Sequence, residues 1–109
     1  MASEEEIHYK LLKELEENPS LSQRELAGKM ELSLGKVNYC VKALIERGLI
    51  KAKNFKNSRN KIAYLYILTP SGIERKAYLT RCFLERKMRE YDRLRGEIEN
   101  LEREIQRGI

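Results

Sequence analysis

The chain has 109 residues, 41% hydrophobic and 36% charged, with 7% aromatic and no Trp. That length supports one small domain with an appendage, and so small a core excludes a large enclosed catalytic pocket. The net charge of +5 is uneven: residues 1–17 carry −4, residues 18–61 carry +7 and residues 62–109 carry +2, which places a polyanion-attracting surface in the middle of the chain.

Ile7, Leu11, Leu12 and Leu15 fall on one helical face and predict an amphipathic helix over residues 4–17. Glu4, Glu5 and Glu6 fill its first turn, where the helix dipole favours negative charge, and Asn18-Pro19 ends it. Ser22-Gln23-Arg24-Glu25 is a capping box, with Leu21 and Leu26 placed as a hydrophobic staple. It predicts a second helix ending near Met30. Ser33 is a second N-cap, with Leu32 and Val37 at staple positions, and starts a third helix running to about Arg47. The expected buried stripe of that helix is Val37, Cys40, Val41, Leu44 and Ile45, and Gly48 terminates it.

Leu49–Phe55 and Ile62–Leu68 are rich in strand-forming residues and flank a polar linker, Lys56 to Lys61, which predicts a hairpin. Tyr64 and Tyr66 share a strand face, which suits either lining a pocket or, as the expected role, packing against the C-terminal helix. Thr69 as N-cap and Pro70 at the first helical position open a last helix that runs to about Arg107. Along it, Leu84, Met88, Tyr91, Leu94, Ile98, Leu101 and Ile105 recur at spacings of 4, 3, 3, 4, 3 and 4. That is nearly a heptad seam, with one irregular step at Leu94. Such a seam cannot bury itself and calls for a partner, most simply a second copy of the chain.

The second and third helices read as a helix-turn-helix. Ala27 is the small residue at their contact, and Leu26, Met30, Leu32 and Val37 set their angle. The turn position four after Ala27 needs positive φ and is usually Gly, but here it is Glu31. With Val37, Val41, Leu44 and Ile45 inward, Leu34, Gly35, Lys36, Asn38, Tyr39 and Lys42 face outward and join Ser33 as candidate DNA contacts. Ser33 and the helix N-terminus can hold a phosphate, Asn38 can read adenine and Lys36 can reach guanine. Lys53, Lys56, Asn57, Arg59 and Lys61 on the hairpin extend the candidate surface, with Arg59 suited to a narrow minor groove.

The remaining residues suggest no chemistry. His8, the single histidine, has no nucleophile or ligand set around it, and no metal, cofactor or catalytic residue is assigned. Cys40 and Cys82 lack CxxC spacing, which argues against zinc and disulfides, and no second cysteine supports Cys82 as a redox sensor. No apolar h-region or membrane-length run is present, so a cytoplasmic protein away from membranes is expected.

Leu32-Ser33, Val37, Val41 and Leu44-Ile45-Glu46-Arg47-Gly48-Leu49-Ile50, followed by the basic hairpin and Tyr64-Leu65-Tyr66-Ile67-Leu68-Thr69-Pro70-Ser71-Gly72, resemble the winged helix-turn-helix regulators of the MarR type. The close of the wing is also similar to PadR-type regulators, and the whole chain is most similar to the small MarR-type group associated with bacterial exopolysaccharide gene clusters. The resemblance implies a bacterial, dimeric transcriptional regulator of double-stranded DNA. Many MarR-type proteins dimerise through helices at both ends, with an effector pocket between. This chain has little before its first helix, so dimerisation falls on the C-terminal seam and no effector is assigned. The expectation is therefore a mainly α fold with a small β-hairpin wing. It comprises a winged helix-turn-helix over residues 4–70 and a helical, coiled-coil-like homodimerisation region over residues 71–109. The alternative is a winged-helix protein-interaction adaptor, which has no need of the wing charges.

Overall fold

A computed structural model of the chain describes residues 3–56, 59 and 62–108. The element order is α1 (Glu4–Glu17), α2 (Gln23–Met30), α3 (Leu34–Glu46), β1 (Ile50–Lys56), β2 (Ile62–Leu68) and α4 (Pro70–Gln106). The chain divides into two compact units, one up to Leu79 and one from Thr80 onward. The first holds the helices α1 to α3, the hairpin and the opening turns of α4. The second is the remainder of α4.

Each start in the first unit is fixed by a side chain. Ser3 Oγ accepts from Glu6 N–H, and Ser22 and Glu25 form the full capping box. Ser33 Oγ accepts from Lys36 N–H at 3.1 Å, and Thr69 Oγ1 accepts from Gly72 N–H at 3.1 Å. These bonds satisfy amide groups that a helix cannot satisfy internally.

The ends of α2 and α3 share one geometry. Leu49 N–H reaches Leu44 C=O and Gly48 N–H reaches Ile45 C=O, the paired bonds of a Schellman motif with Gly48 at φ 71°. Leu32 N–H reaches Ala27 C=O and Glu31 N–H reaches Gly28 C=O in the same pattern, with Glu31 at φ 55°. Leu49 therefore closes α3 and does not begin the strand, which starts at Ile50 and runs on to Lys56.

The core of this unit gathers Ile7, Leu11, Leu12 and Leu15 from α1 and Leu26 from α2 against Val37, Cys40, Val41 and Leu44 of α3. Ile50, Tyr66 and Leu79 close it. Ile45 does not join this stripe and is 38% exposed. It stands at the edge of the stripe, about 40° beyond Val41 around the helix and on the side away from Cys40. β1 and β2 pair antiparallel from Ile50 opposite Leu68 to Lys56 opposite Ile62. Tyr66 N–H also bonds Pro19 C=O at 3.0 Å, which ties β2 to the α1–α2 connection.

In the second unit Leu84, Met88, Tyr91, Leu94, Ile98, Leu101 and Ile105 are all exposed, Ile98 the least at 46%. Between them run ion pairs along the helix, among them Arg93–Glu97 at 2.8 Å and Arg95–Glu99 at 3.4 Å. Exposed pairs of this kind add only a few tenths of a kcal/mol each, about 0.3–0.5 at best. They support a helix with no core of its own. No helix among the described residues is long and apolar enough to cross a membrane.

Candidate nucleic-acid interface

The buried stripe of α3 leaves its opposite face outward. Ser33, Leu34, Gly35, Asn38, Tyr39 and Lys42 are exposed and Lys36 is half-buried, so all seven lie along the first two-thirds of one helix surface. The Ser33 hydroxyl spends a lone pair on Lys36 N–H and keeps its own proton to donate. With the open amides of the first turn it makes a phosphate-sized donor set at a positive helix end. Lys36 Nζ lies 5.4 Å from the Tyr39 ring centroid, a cation–π contact that steadies both side chains.

The hairpin adds charge. Lys51, Lys53 and Lys56 are exposed on β1, and Arg59 is exposed in the turn. Asn57 and Lys61 lie outside the described residues. Alternation along a strand places Lys51 and Lys53 on the same face. The exposed cations of the first unit thus include Lys42 on α3 and Lys51, Lys53, Lys56 and Arg59 on the hairpin.

Gln23, to which the sequence assigns no site role, links Asn38 to Tyr66. Asn38 Nδ2 donates to Gln23 Oε1 at 3.1 Å, and Gln23 Nε2 donates to the Tyr66 hydroxyl at 3.1 Å. Nothing in the sequence marks Gln23 beyond its place after the Ser22 cap, because its partners are 15 and 43 residues away. The two tyrosines also differ from expectation. Tyr66 is buried and turned to Gln23, while Tyr64 is 52% exposed and stacks on it with ring centroids 6.3 Å apart. They border an open cleft with Ser20, Ser22, Gln23, Glu25 and Phe55, so the pair faces the start of α2.

The histidine and the two cysteines are not among these residues. His8 is buried, and its Nε2 has no hydrogen-bond partner. Burial first, then the Arg47 and Arg75 guanidinium groups, holds its pKa below the usual value despite the opposing pull of Glu4. Burial likewise pushes the Cys40 thiol up, which leaves it protonated and unreactive. Cys82 is half-exposed. Among the described residues no cluster of His, Cys, Asp and Glu is arranged to hold a metal ion.

Comparison with known proteins agrees with this geometry. The winged helix-turn-helix DNA-binding family profile matches residues 4–51, which span α1 to the start of β1. Among solved structures, the transcriptional regulator SlyA is similar at 21% identity and TM-score 0.63, over 74% of this chain and 56% of that one. A MarR/EmrR family transcriptional regulator from Acinetobacter sp. ADP1 is similar at 20% identity and TM-score 0.60, over 92% and 75%. MepR, a transcription regulator of the Staphylococcus aureus multidrug efflux pump MepA, is similar at 19% identity and TM-score 0.61, over 80% and 63%. A search of curated protein sequences found no significant match. Residues 4–51 are thus similar to winged helix-turn-helix DNA-binding domains and the fold is that of solved MarR-family regulators, while the chain spans little more than half the length of SlyA.

Proposed function

We propose that the protein is a sequence-specific transcriptional regulator of MarR type that binds double-stranded DNA as a homodimer. The observation that carries this reading is the outward face of α3. Seven groove-compatible residues, Ser33 to Lys42, stand on a helix fixed by caps at one end and a Schellman motif at the other. The helix enters the major groove with its first turns against base edges. Asn38 reads adenine, Lys36 reaches guanine, and Ser33 with the helix N-terminus holds a phosphate. The wing, with Lys53, Lys56, Asn57, Arg59 and Lys61, lies on the adjacent backbone or minor groove.

The seam from Leu84 to Ile105 supports the second copy. Seven large apolar side chains at near-heptad spacing stay exposed in a single chain, and two such helices bury them against each other. Two recognition helices then address successive major grooves about 34 Å apart. The likeness to the exopolysaccharide-associated group rests on sequence pattern alone.

Selection of bound duplexes from a random DNA library, followed by mobility shifts at two salt concentrations, tests the reading. The expected result is an enriched two-part site whose affinity falls steeply with salt. Absence of binding to any duplex would sink it and favour the adaptor.

A further inference from the structure

The amide of Asn38 is held from behind by two other elements. Its Nδ2 donates to Gln23 Oε1, and Gln23 Nε2 donates to Tyr66 Oη, each over 3.1 Å. The far end of this relay is fixed: Tyr66 is 7% exposed, and its backbone N–H is bonded to Pro19. The middle is fixed too, since Gln23 is half-buried and opens α2 directly after the Ser22–Glu25 capping box. Only Asn38, the near end, is exposed.

We infer that Gln23 is a positioning residue that orients the Asn38 amide for adenine, an inference that rests on the reading of α3 as the recognition helix. A carboxamide has two N–H donors and one acceptor oxygen. Gln23 takes one of the donors, so Asn38 presents outward a single N–H beside Oδ1. Adenine shows the complementary pair in the major groove, the N7 acceptor beside the N6 amino donor. Guanine shows two acceptors, N7 and O6, and would set O6 against Asn38 Oδ1. Turning the Asn38 amide over alone would set Oδ1 against Gln23 Oε1, acceptor against acceptor, so the Asn38 amide turns only together with that of Gln23, with the Tyr66 hydroxyl then donating. Gln23 needs no contact with DNA to act. It couples the orientation of the reading group to its own amide and prepays part of the ordering cost of the side chain.

The test starts from the site that the full-length protein selects out of random duplex DNA. Wild type, Gln23→Ala, Gln23→Glu, Asn38→Ala and the Gln23→Ala/Asn38→Ala double variant are measured on that site and on a copy with one adenine changed to guanine. Gln23→Ala is expected to lower the adenine preference about five-fold, the order expected for releasing one ordered side chain. Its affinity for random DNA stays unchanged, and its unfolding midpoint falls by only about 4–8 °C, as for the loss of one part-buried hydrogen bond. The double variant shows no further loss of preference beyond Asn38→Ala, as expected where one residue acts through the other. Gln23→Glu locks the middle of the relay as an acceptor and retains the preference, although its charge lowers affinity for all duplexes. Unchanged preference in Gln23→Ala, additive losses in the double variant, or lost preference in Gln23→Glu would each overturn the positioning role while leaving DNA binding intact. Failure of the wild type to enrich any site would overturn the recognition-helix reading itself, and this inference with it.

Discussion

Gly72 lies so close to the Leu49 carbonyl that a Cβ on Gly72 would sit 1.9 Å from the oxygen. The same carbonyl accepts Thr69 N–H at 3.1 Å, and the Thr69 hydroxyl donates to Gly48 C=O. The start of α4 is therefore clamped to the corner that ends α3. Because the obstacle is backbone, neither partner can move aside without breaking this clamp. Gly72→Ala is expected to cost about 3 kcal/mol, the upper part of the overpacking range. Thermal unfolding checks it, with a midpoint lowered by roughly 10–20 °C. Thr69→Ala removes only a cap and a bond and is expected to cost about 1 kcal/mol. A Gly72→Ala protein as stable as wild type would show that the two elements are not in contact in solution.

The turn between α2 and α3 contains its own comparison. Gly48 and Glu31 occupy the same left-handed position in two successive Schellman motifs, at φ 71° and φ 55°. For a residue with a Cβ that conformation costs about 1–2 kcal/mol. A glycine there gives back roughly 0.5–1 kcal/mol in unfolded-state freedom. Glu31→Gly is therefore expected to stabilise the protein by about 0.5–1 kcal/mol in urea unfolding, with an unchanged dependence on denaturant. Destabilisation by Glu31→Gly would mean that the Glu31 side chain contributes more than its strain removes.

Much of this domain was legible because its signals are local. Ser22, Ser33 and Thr69 each announce a helix start within four residues. The positive φ of Glu31 follows from its place four after Ala27, although its side chain argues against it. Ile45 departs from expectation because it stands at the edge of the stripe, where periodicity alone does not separate buried from exposed. Gln23 was missed for a deeper reason. Its value lies in a bond to Asn38 and another to Tyr66, and no local pattern encodes a contact that exists only once three elements have docked. The Gly72–Leu49 approach is of the same kind, since a glycine in a first helical turn has many ordinary explanations.

Stability is expected to fall on acidification below about pH 6.5. Burial and the nearby Arg47 and Arg75 hold the His8 pKa below the unfolded value of 6.5, so the folded chain keeps this group neutral. Below that pH the unfolded chain takes up a proton that the folded chain refuses. The contribution is complete above the unfolded pKa and declines as pH falls through and below it. His8→Phe removes both the titration and the unpartnered Nε2, and is expected to flatten the pH dependence of unfolding between pH 7 and 5. Superimposable profiles for wild type and His8→Phe would refute the role of His8.

Asn38 and Lys56 are expected to divide the work of binding. Both are exposed, one on α3 and one at the end of β1. A base-reading amide acts on one sequence, whereas an ammonium near phosphate acts on all. Asn38→Ala should cut discrimination at one base pair by about 1–3 kcal/mol and spare affinity for random DNA. Lys56→Ala should weaken binding to every duplex alike and lower the salt slope by about one. Titration of both variants on the selected site and a scrambled duplex, at four salt concentrations, separates the two. Equal effects of both variants on both duplexes would refute the division.

The seam offers the sharpest test of assembly. Leu94 and Ile98 are 52% and 46% exposed in the single chain, so a charge there meets water and leaves the fold of one copy intact. In a paired seam the same charge is buried against its symmetry mate without a partner, which association cannot tolerate. Leu94→Asp and Ile98→Asp are therefore expected to sediment as monomers with near-native helix content by circular dichroism, and the wild type is expected to sediment as a dimer. Loss of the tether also separates two half-site contacts that act together, and linked sites exceed single ones by about 10²–10⁴ in affinity. Affinity for the two-part site should fall by that order, while affinity for an isolated half-site stays as it was. Retention of the dimer in both variants would move the interface away from Leu84–Ile105. A monomeric variant with full affinity for the two-part site would show that assembly serves something other than DNA binding.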